Sequence, residues 1–135
     1  MGTWSVDAFG NDDAADWAFE LAISDDLSLV EAAINGALAD SDYLDAADAA
    51  IALAAIEVIA RLNGNWGDRN AYTEPVDAWI AQVNVQPEPE LLARARAAID
   101  RILSEDSEML ELWQDSGDYE AWLGSVENLR SRIGE

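Results

Sequence analysis

Between Ala49 and Ala60 the chain runs for about a dozen residues with Glu57 as its one charge. The run falls short of the roughly 18 uninterrupted apolar residues that a membrane-spanning helix needs. Its apolar side chains point to every side of a helix, so such a segment is stable only when neighbours cover most of its surface. Six of its residues are alanines, which let those neighbours come close. The sequence therefore predicts a central, Ala-rich helix from about Asp45 to Leu62, with Asp48 and Glu57 as its only interior acids. Glu57 and Arg61, four residues apart, are expected to pair on one wet edge of it. Gly64 is the expected left-handed residue that ends it.

The rest of the chain supplies helices to pack around this strut. Asn11 or Asp12 is a good N-cap for a first helix to about Ser24, with Ala14, Ala18 and Leu21 on one strip and Trp17 beside them. Ala15, Phe19 and Ala22 widen that strip. Ser28 and Glu31 fit a Ser-x-x-Glu capping box for a second helix, in which Val30, Ala33, Ile34, Ala37 and Leu38 recur at the helical period. Pro75 opens a short fourth helix, and Pro87 and Pro89 separate it from an amphipathic fifth. A short sixth follows from about Asp106, and Asp118 caps a seventh that carries Trp122, Val126, Leu129 and Ile133. Residues 1–10 lack a helical period and read as a short extended arm carrying Trp4, Val6 and Phe9. No segment alternates with the period of a strand. The expected fold is all-α: a compact bundle of about six or seven helices in one domain over residues 1–135.

Composition narrows the chemistry. The chain has no Cys, His or Lys, and its seven cations are all Arg. That removes thiolate and Ser–His nucleophiles, Schiff-base lysines, the P-loop lysine and zinc sites built on His or Cys. Only carboxylates, Arg, Tyr, hydroxyls or an oxygen-bound metal could do chemistry, so the expectation is a protein that is not an enzyme and needs no cofactor. The net charge of −21 repels nucleic acid. The start of the chain has neither the basic residues nor the apolar run of a signal peptide, which makes a cytoplasmic location the expectation, with no membrane partner.

Two groups of residues stand out. Asp12, Asp16 and Glu20 stack four apart on one helix face with Asp13 alongside, a density of oxygen ligands that could hold Ca²⁺ or Mg²⁺. The spacing lacks the alternation of an EF-hand loop, and acids in a first turn are explained more simply by the helix dipole. A carboxylate pair of Asp48 and Glu57 is ruled out by geometry, since nine residues of helix place them on opposite sides, roughly 13 Å apart along the axis. Trp17, Trp79, Trp113 and Trp122 lie on periodic apolar faces and read as core. Trp66 lies in the Asn63–Thr73 loop with Asp68, Arg69 and Tyr72, and these four form the candidate recognition surface. Arg94, Arg96 and Arg101 give the fifth helix the only positive strip.

The string Met1-Gly2-Thr3-Trp4, followed by Phe9-Gly10-Asn11-Asp12-Asp13-Ala14-Ala15-Asp16, resembles the opening of a bacterial family of unknown function, M-G-x-W-G then F-x-N-D-D-A-x-D. The later Glu57-Val58-Ile59-Ala60, Pro89-Glu90-Leu91 and Leu112-Trp113 segments are similar in character. Ser5 stands where the family has glycine. The resemblance implies a small helical bacterial protein and no particular activity. The functional expectation is a non-catalytic, acidic interaction module, an immunity- or antitoxin-like inhibitor of a basic protein. Its alternatives are a carboxylate-dependent metal protein or enzyme, and a housekeeping protein whose acidity serves only its solvent. A homo-oligomer is compatible with the sequence, but nothing in the sequence points to one.

Overall fold

A computed structural model of the chain describes residues 12–39, 43–67, 73–83 and 85–133. Among them are seven helices: α1 (Asp12–Ala22), α2 (Ser28–Leu38), α3 (Ala46–Leu62), α4 (Glu74–Val83), α5 (Pro89–Ile102), α6 (Glu108–Gln114) and α7 (Tyr119–Arg132). The described residues hold no strand. A lone bridge joins Leu44 to Ser107, through Leu44 N–H to the Asp106 carbonyl and Glu108 N–H to the Leu44 carbonyl. The expected N-terminal arm lies outside the described residues.

α3 is the strut that its composition predicts. Every residue from Ala52 to Leu62 is buried, and α3 touches each of the other six helices. Its ends are fixed by local chemistry. At the N-terminus the Asp45 carboxylate accepts from Asp48 N–H at 2.8 Å, and Glu108 of α6 accepts from Ala46 N–H at 2.8 Å. At the C-terminus Asn65 N–H reaches the Ala60 carbonyl at 2.9 Å and Gly64 N–H the Arg61 carbonyl at 3.0 Å. This double bond pattern needs a left-handed residue, and Gly64 supplies it with φ 89°.

Two local expectations are corrected. The second helix has no Ser28–Glu31 capping box. Ser28 already lies in the first turn, Leu27 occupies the cap position, and the Asp26 carboxylate accepts the Ser28 N–H at 3.0 Å and its hydroxyl. An acid two residues earlier thus takes the donor that the motif assigns to Ser28. In α1 the buried strip is Ala14, Trp17, Ala18 and Leu21, while Phe19 and Ala22 face outward. Trp17 and Phe19 stand about 200° apart on a helix, so both cannot face α3 and α4. The indole is the one buried.

Trp17, Trp79, Trp113 and Trp122 are all core residues, at most 5% exposed. Trp79 also donates its indole N–H to the Ser24 carbonyl at 2.9 Å, tying α4 to the end of α1. Trp113 and Trp122 stack at 5.9 Å, nearly parallel, and join α6 to α7. Asp118 does occupy the cap position of α7, without a side-chain bond to it. No helix among the described residues is long and apolar enough to cross a membrane.

Ile56, fully buried on α3, gives the sharpest test of the strut. Ile56→Asp buries an unpaired charge against helices on several sides and should cost several kcal/mol. We expect loss of the cooperative thermal transition by circular dichroism, whereas Ile56→Val should retain it.

Candidate functional site

α3 carries its one buried acid, Glu57, on the same face as Arg61, one turn later. Both are buried, at 6% and 3% exposure, so the pair does not lie on a wet edge as the sequence led us to expect. Arg61 Nε donates to Glu57 Oε2 at 2.9 Å. A second guanidinium reaches the same carboxylate from the end of α7: Arg132 Nη1 donates to Oε2 at 2.7 Å and Nη2 to Oε1 at 2.9 Å. The fork matches both carboxylate oxygens, the geometry in which Arg–carboxylate contacts are strongest. Arg61 Nη1 extends the network to Asp77 of α4 at 2.8 Å, and the other Asp77 oxygen accepts from the Thr73 hydroxyl at 2.8 Å. Two carboxylates therefore face two guanidiniums where α3, α4 and α7 meet.

The network holds both flanks of the loop that follows α3. On one flank the Arg61 guanidinium lies 5.3 Å over the Trp66 ring, and Asn65 Nδ2 donates to the Arg132 carbonyl at 2.7 Å. On the other, Thr73 is buried against Asp77. Gly67 has a specific reason to be glycine: a Cβ there would stand 2.9 Å from Arg132 Nη1 and 3.0 Å from its Cζ. The backbone lies flat against the guanidinium. Arg132 Nε in turn donates to Asn128 Oδ1 at 2.8 Å, which fixes the arginine from its own helix.

Electrostatics follow from this geometry. Burial pushes the Glu57 carboxyl up, but the hydrogen bonds and charge of Arg132, and then those of Arg61, outweigh it and hold the group below its ordinary value. A carboxylate kept ionised in this way is a poor proton donor, and guanidinium does not titrate in the working range. The cluster can fasten chain segments and orient Trp66. It is badly suited to moving protons.

Of the four residues expected to form a recognition surface, Trp66 is half-buried against the core, under Arg61. Asp68, Arg69 and Tyr72 lie outside the described residues. The acidic group on α1 is spread along an exposed face, with Asp12 and Asp13 in the first turn. Among the described residues no three acids converge in a metal-holding arrangement. The positive strip of α5 is used internally. Arg94 donates to Asn35 of α2 at 2.7 Å, and Arg101 to the Ser104 hydroxyl and the Asp106 carbonyl. Arg94 also borders a small cleft of about 170 Å³ between α2 and α5, and its Nε is the buried side-chain atom among the described residues without a hydrogen-bond partner. Glu31, Glu88 and Glu90 line the same cleft and oppose an anion there.

Sequence reasoning paired Glu57 with Arg61 but missed Arg132, Asp77 and Gly67. Glu57 and Arg132 are 75 positions apart, and no local periodicity connects them. The available hint was Gly67 itself, a glycine beside a loop tryptophan with no turn motif to explain it.

Fold and site together define an all-α bundle whose central helix is locked to its last helix by a buried arginine–carboxylate cluster. The chain belongs to the family described as a domain of unknown function (DUF4259), which it matches over residues 2–125. Glu57, Arg61, Gly67 and Asp77 fall within the matched segment, and Arg132 lies beyond it. No curated protein and no solved structure matches the chain.

Two predictions follow from the cluster. Glu57→Gln leaves two guanidiniums facing a neutral amide and should cost about 3–5 kcal/mol at neutral pH. Because the folded Glu57 titrates below its unfolded value, its contribution is present above about pH 4.5 and is lost as the pH falls through the folded value. The gap between the native chain and Glu57→Gln, read from urea midpoints, should therefore close on acidification below about pH 4.5; a gap independent of pH contradicts the assignment. Gly67→Ala should displace the Arg132 fork. In urea it should be destabilising by about 1–3 kcal/mol in the native background and by much less in Arg132→Ala, a non-additivity of contacting residues.

Proposed function

We propose that this protein is a bacterial, cytoplasmic, non-catalytic interaction module that captures a basic protein, in the manner of an immunity or antitoxin inhibitor. The observation that carries the reading is how the cations are used. Six of the seven arginines lie among the described residues, Arg69 being the exception. Arg61 and Arg132 are held by Glu57, and Arg130 pairs with Asp100 at 2.6 Å. Arg94 and Arg101 are bonded to neighbouring helices or loops, and Arg96 is not free either. Every described arginine is engaged within the chain, and the surplus of carboxylates gives the molecule the outward field of its −21 charge. Such a field steers a basic partner and disfavours acidic ones, acting mainly on the association rate and on selection.

Affinity capture from a lysate of the source organism at low ionic strength should recover a basic protein whose own activity falls when the complex forms. Its association rate should drop by about tenfold or more between 0.01 M and physiological salt, as the reach of charge shortens from about 30 Å to about 8 Å. Failure to recover any basic protein at low salt would favour acidity as an adaptation to solvent and move the housekeeping reading forward.

A further inference from the structure

α1 buries Ala14, Trp17, Ala18 and Leu21 and turns its opposite side to solvent. The middle of that solvent side holds two large apolar side chains. Phe19 is 68% exposed, and Ile23, four residues on, is 86% exposed. Ile23 stands one residue past the helix, but its N–H still bonds the Glu20 carbonyl at 3.3 Å, so the turn continues and the two side chains project together. At 100° per residue, Asp12 and Asp16 fall on the same side as Phe19 and Ile23, and Glu20 borders it. Asp25 and Asp26, both exposed, follow at its end. An exposed apolar pair with carboxylates at both ends and along one flank is costly to keep wet, and it is shaped for a ligand with the inverse pattern.

We propose that this face of α1 is the docking surface for a basic amphipathic segment, an apolar ridge flanked by Lys or Arg. The proposal rests on the reading that the protein captures a basic partner, and it places the contact on α1 rather than on the Trp66 loop. Charge complementarity selects the occupant. A second copy would bring Asp12, Asp16 and Glu20 against their own kind, with −21 on each chain. A basic segment instead pairs with the rim, while Phe19 and Ile23 provide the apolar burial that charge alone cannot.

The test uses the full chain and three synthetic helical peptides: a Lys/Leu amphipathic helix, the same helix with Lys replaced by Gln, and a Lys-rich helix without the apolar ridge. At low salt the Lys/Leu peptide should bind at least about tenfold more tightly than either control, as two buried side chains plus steering imply. Phe19→Ser with Ile23→Ser should remove that advantage without moving the melting temperature. Val85→Ser with Leu112→Ser, two exposed apolar residues elsewhere, should preserve it. Equal binding by the Phe19/Ile23 variant overturns the α1 surface but leaves the basic-partner reading standing. Failure of the native chain to bind either Lys-bearing peptide at low salt overturns that reading as well. A fall of several degrees in the melting temperature of the Phe19/Ile23 variant would show that the chain itself covers the strip. A native dimer in sedimentation that this variant dissolves would assign the strip to a second copy. Either result overturns the proposal.

Discussion

Glu57 sits inside a helix that has almost nothing else polar to offer, and it accepts from two guanidiniums at once. Desolvating a carboxylate costs several kcal/mol, and a buried ion pair regains that only with full hydrogen bonding and good geometry. Here the Arg132 fork and Arg61 Nε supply both. The consequence is more one of placement than of net stability. An apolar, Ala-rich helix offers neighbours a smooth surface on which they can slide or rotate at little cost. One buried acid fixes the rotation of α3, because only one orientation lets Glu57 meet Arg132, and it fixes the axial position of α7 in the same contact. Through Arg61 the same charge reaches Asp77 and sets α4.

The loop after α3 inherits its course from this cluster. Gly64 turns the chain with a positive φ, Asn65 bonds the last residue of α7, and Gly67 lets the backbone lie on the Arg132 guanidinium. Trp66 is carried between these points and covers Arg61. A ring that stacks on a buried guanidinium has part of its surface committed to the fold, so the loop is a weaker candidate for a free recognition surface than its sequence suggests. The two most exposed large apolar side chains among the described residues lie instead at α1, where the sequence placed Phe19 in the core.

The two outcomes have different physical origins. Helix positions and the four core tryptophans are legible because each follows from periodicity within a few turns: Leu91, Ala95, Ile99 and Ile102 mark one face whatever they pack against, while the central strut is legible because its apolar residues cover every side. Gly64 is legible because a helix ending needs a left-handed residue and few others serve. α1 defeats the same logic. Ala14, Ala15, Trp17, Ala18, Phe19, Leu21 and Ala22 surround most of the helix, so the wheel alone does not choose a face, and packing against α3 and α4 decides. The Glu57–Arg132 contact is invisible for another reason. Ion pairs closed by tertiary structure leave no periodic trace, and among seven arginines nothing local distinguishes Arg132 from Arg130 two positions earlier. Yet Arg130 lies at the surface on Asp100, while Arg132 enters the cluster.

The internal cluster and the acidic exterior are linked. Repulsion among surface carboxylates opposes the compact state, and surface arginines would be the simplest remedy. The chain does the reverse with two of its seven, burying Arg61 and turning Arg132 inward to balance Glu57 and Asp77. A cluster of two positive and two negative charges contributes little field at a distance, so the acids and arginines outside it carry the whole −21 surplus. Apolar burial on all sides of α3 then bears the cost of self-repulsion, which is consistent with a helix that has given up nearly every polar residue. Moving an arginine from the cluster to the surface would leave the net charge unchanged and strand a carboxylate inside, so it would loosen α7 without weakening the long-range field.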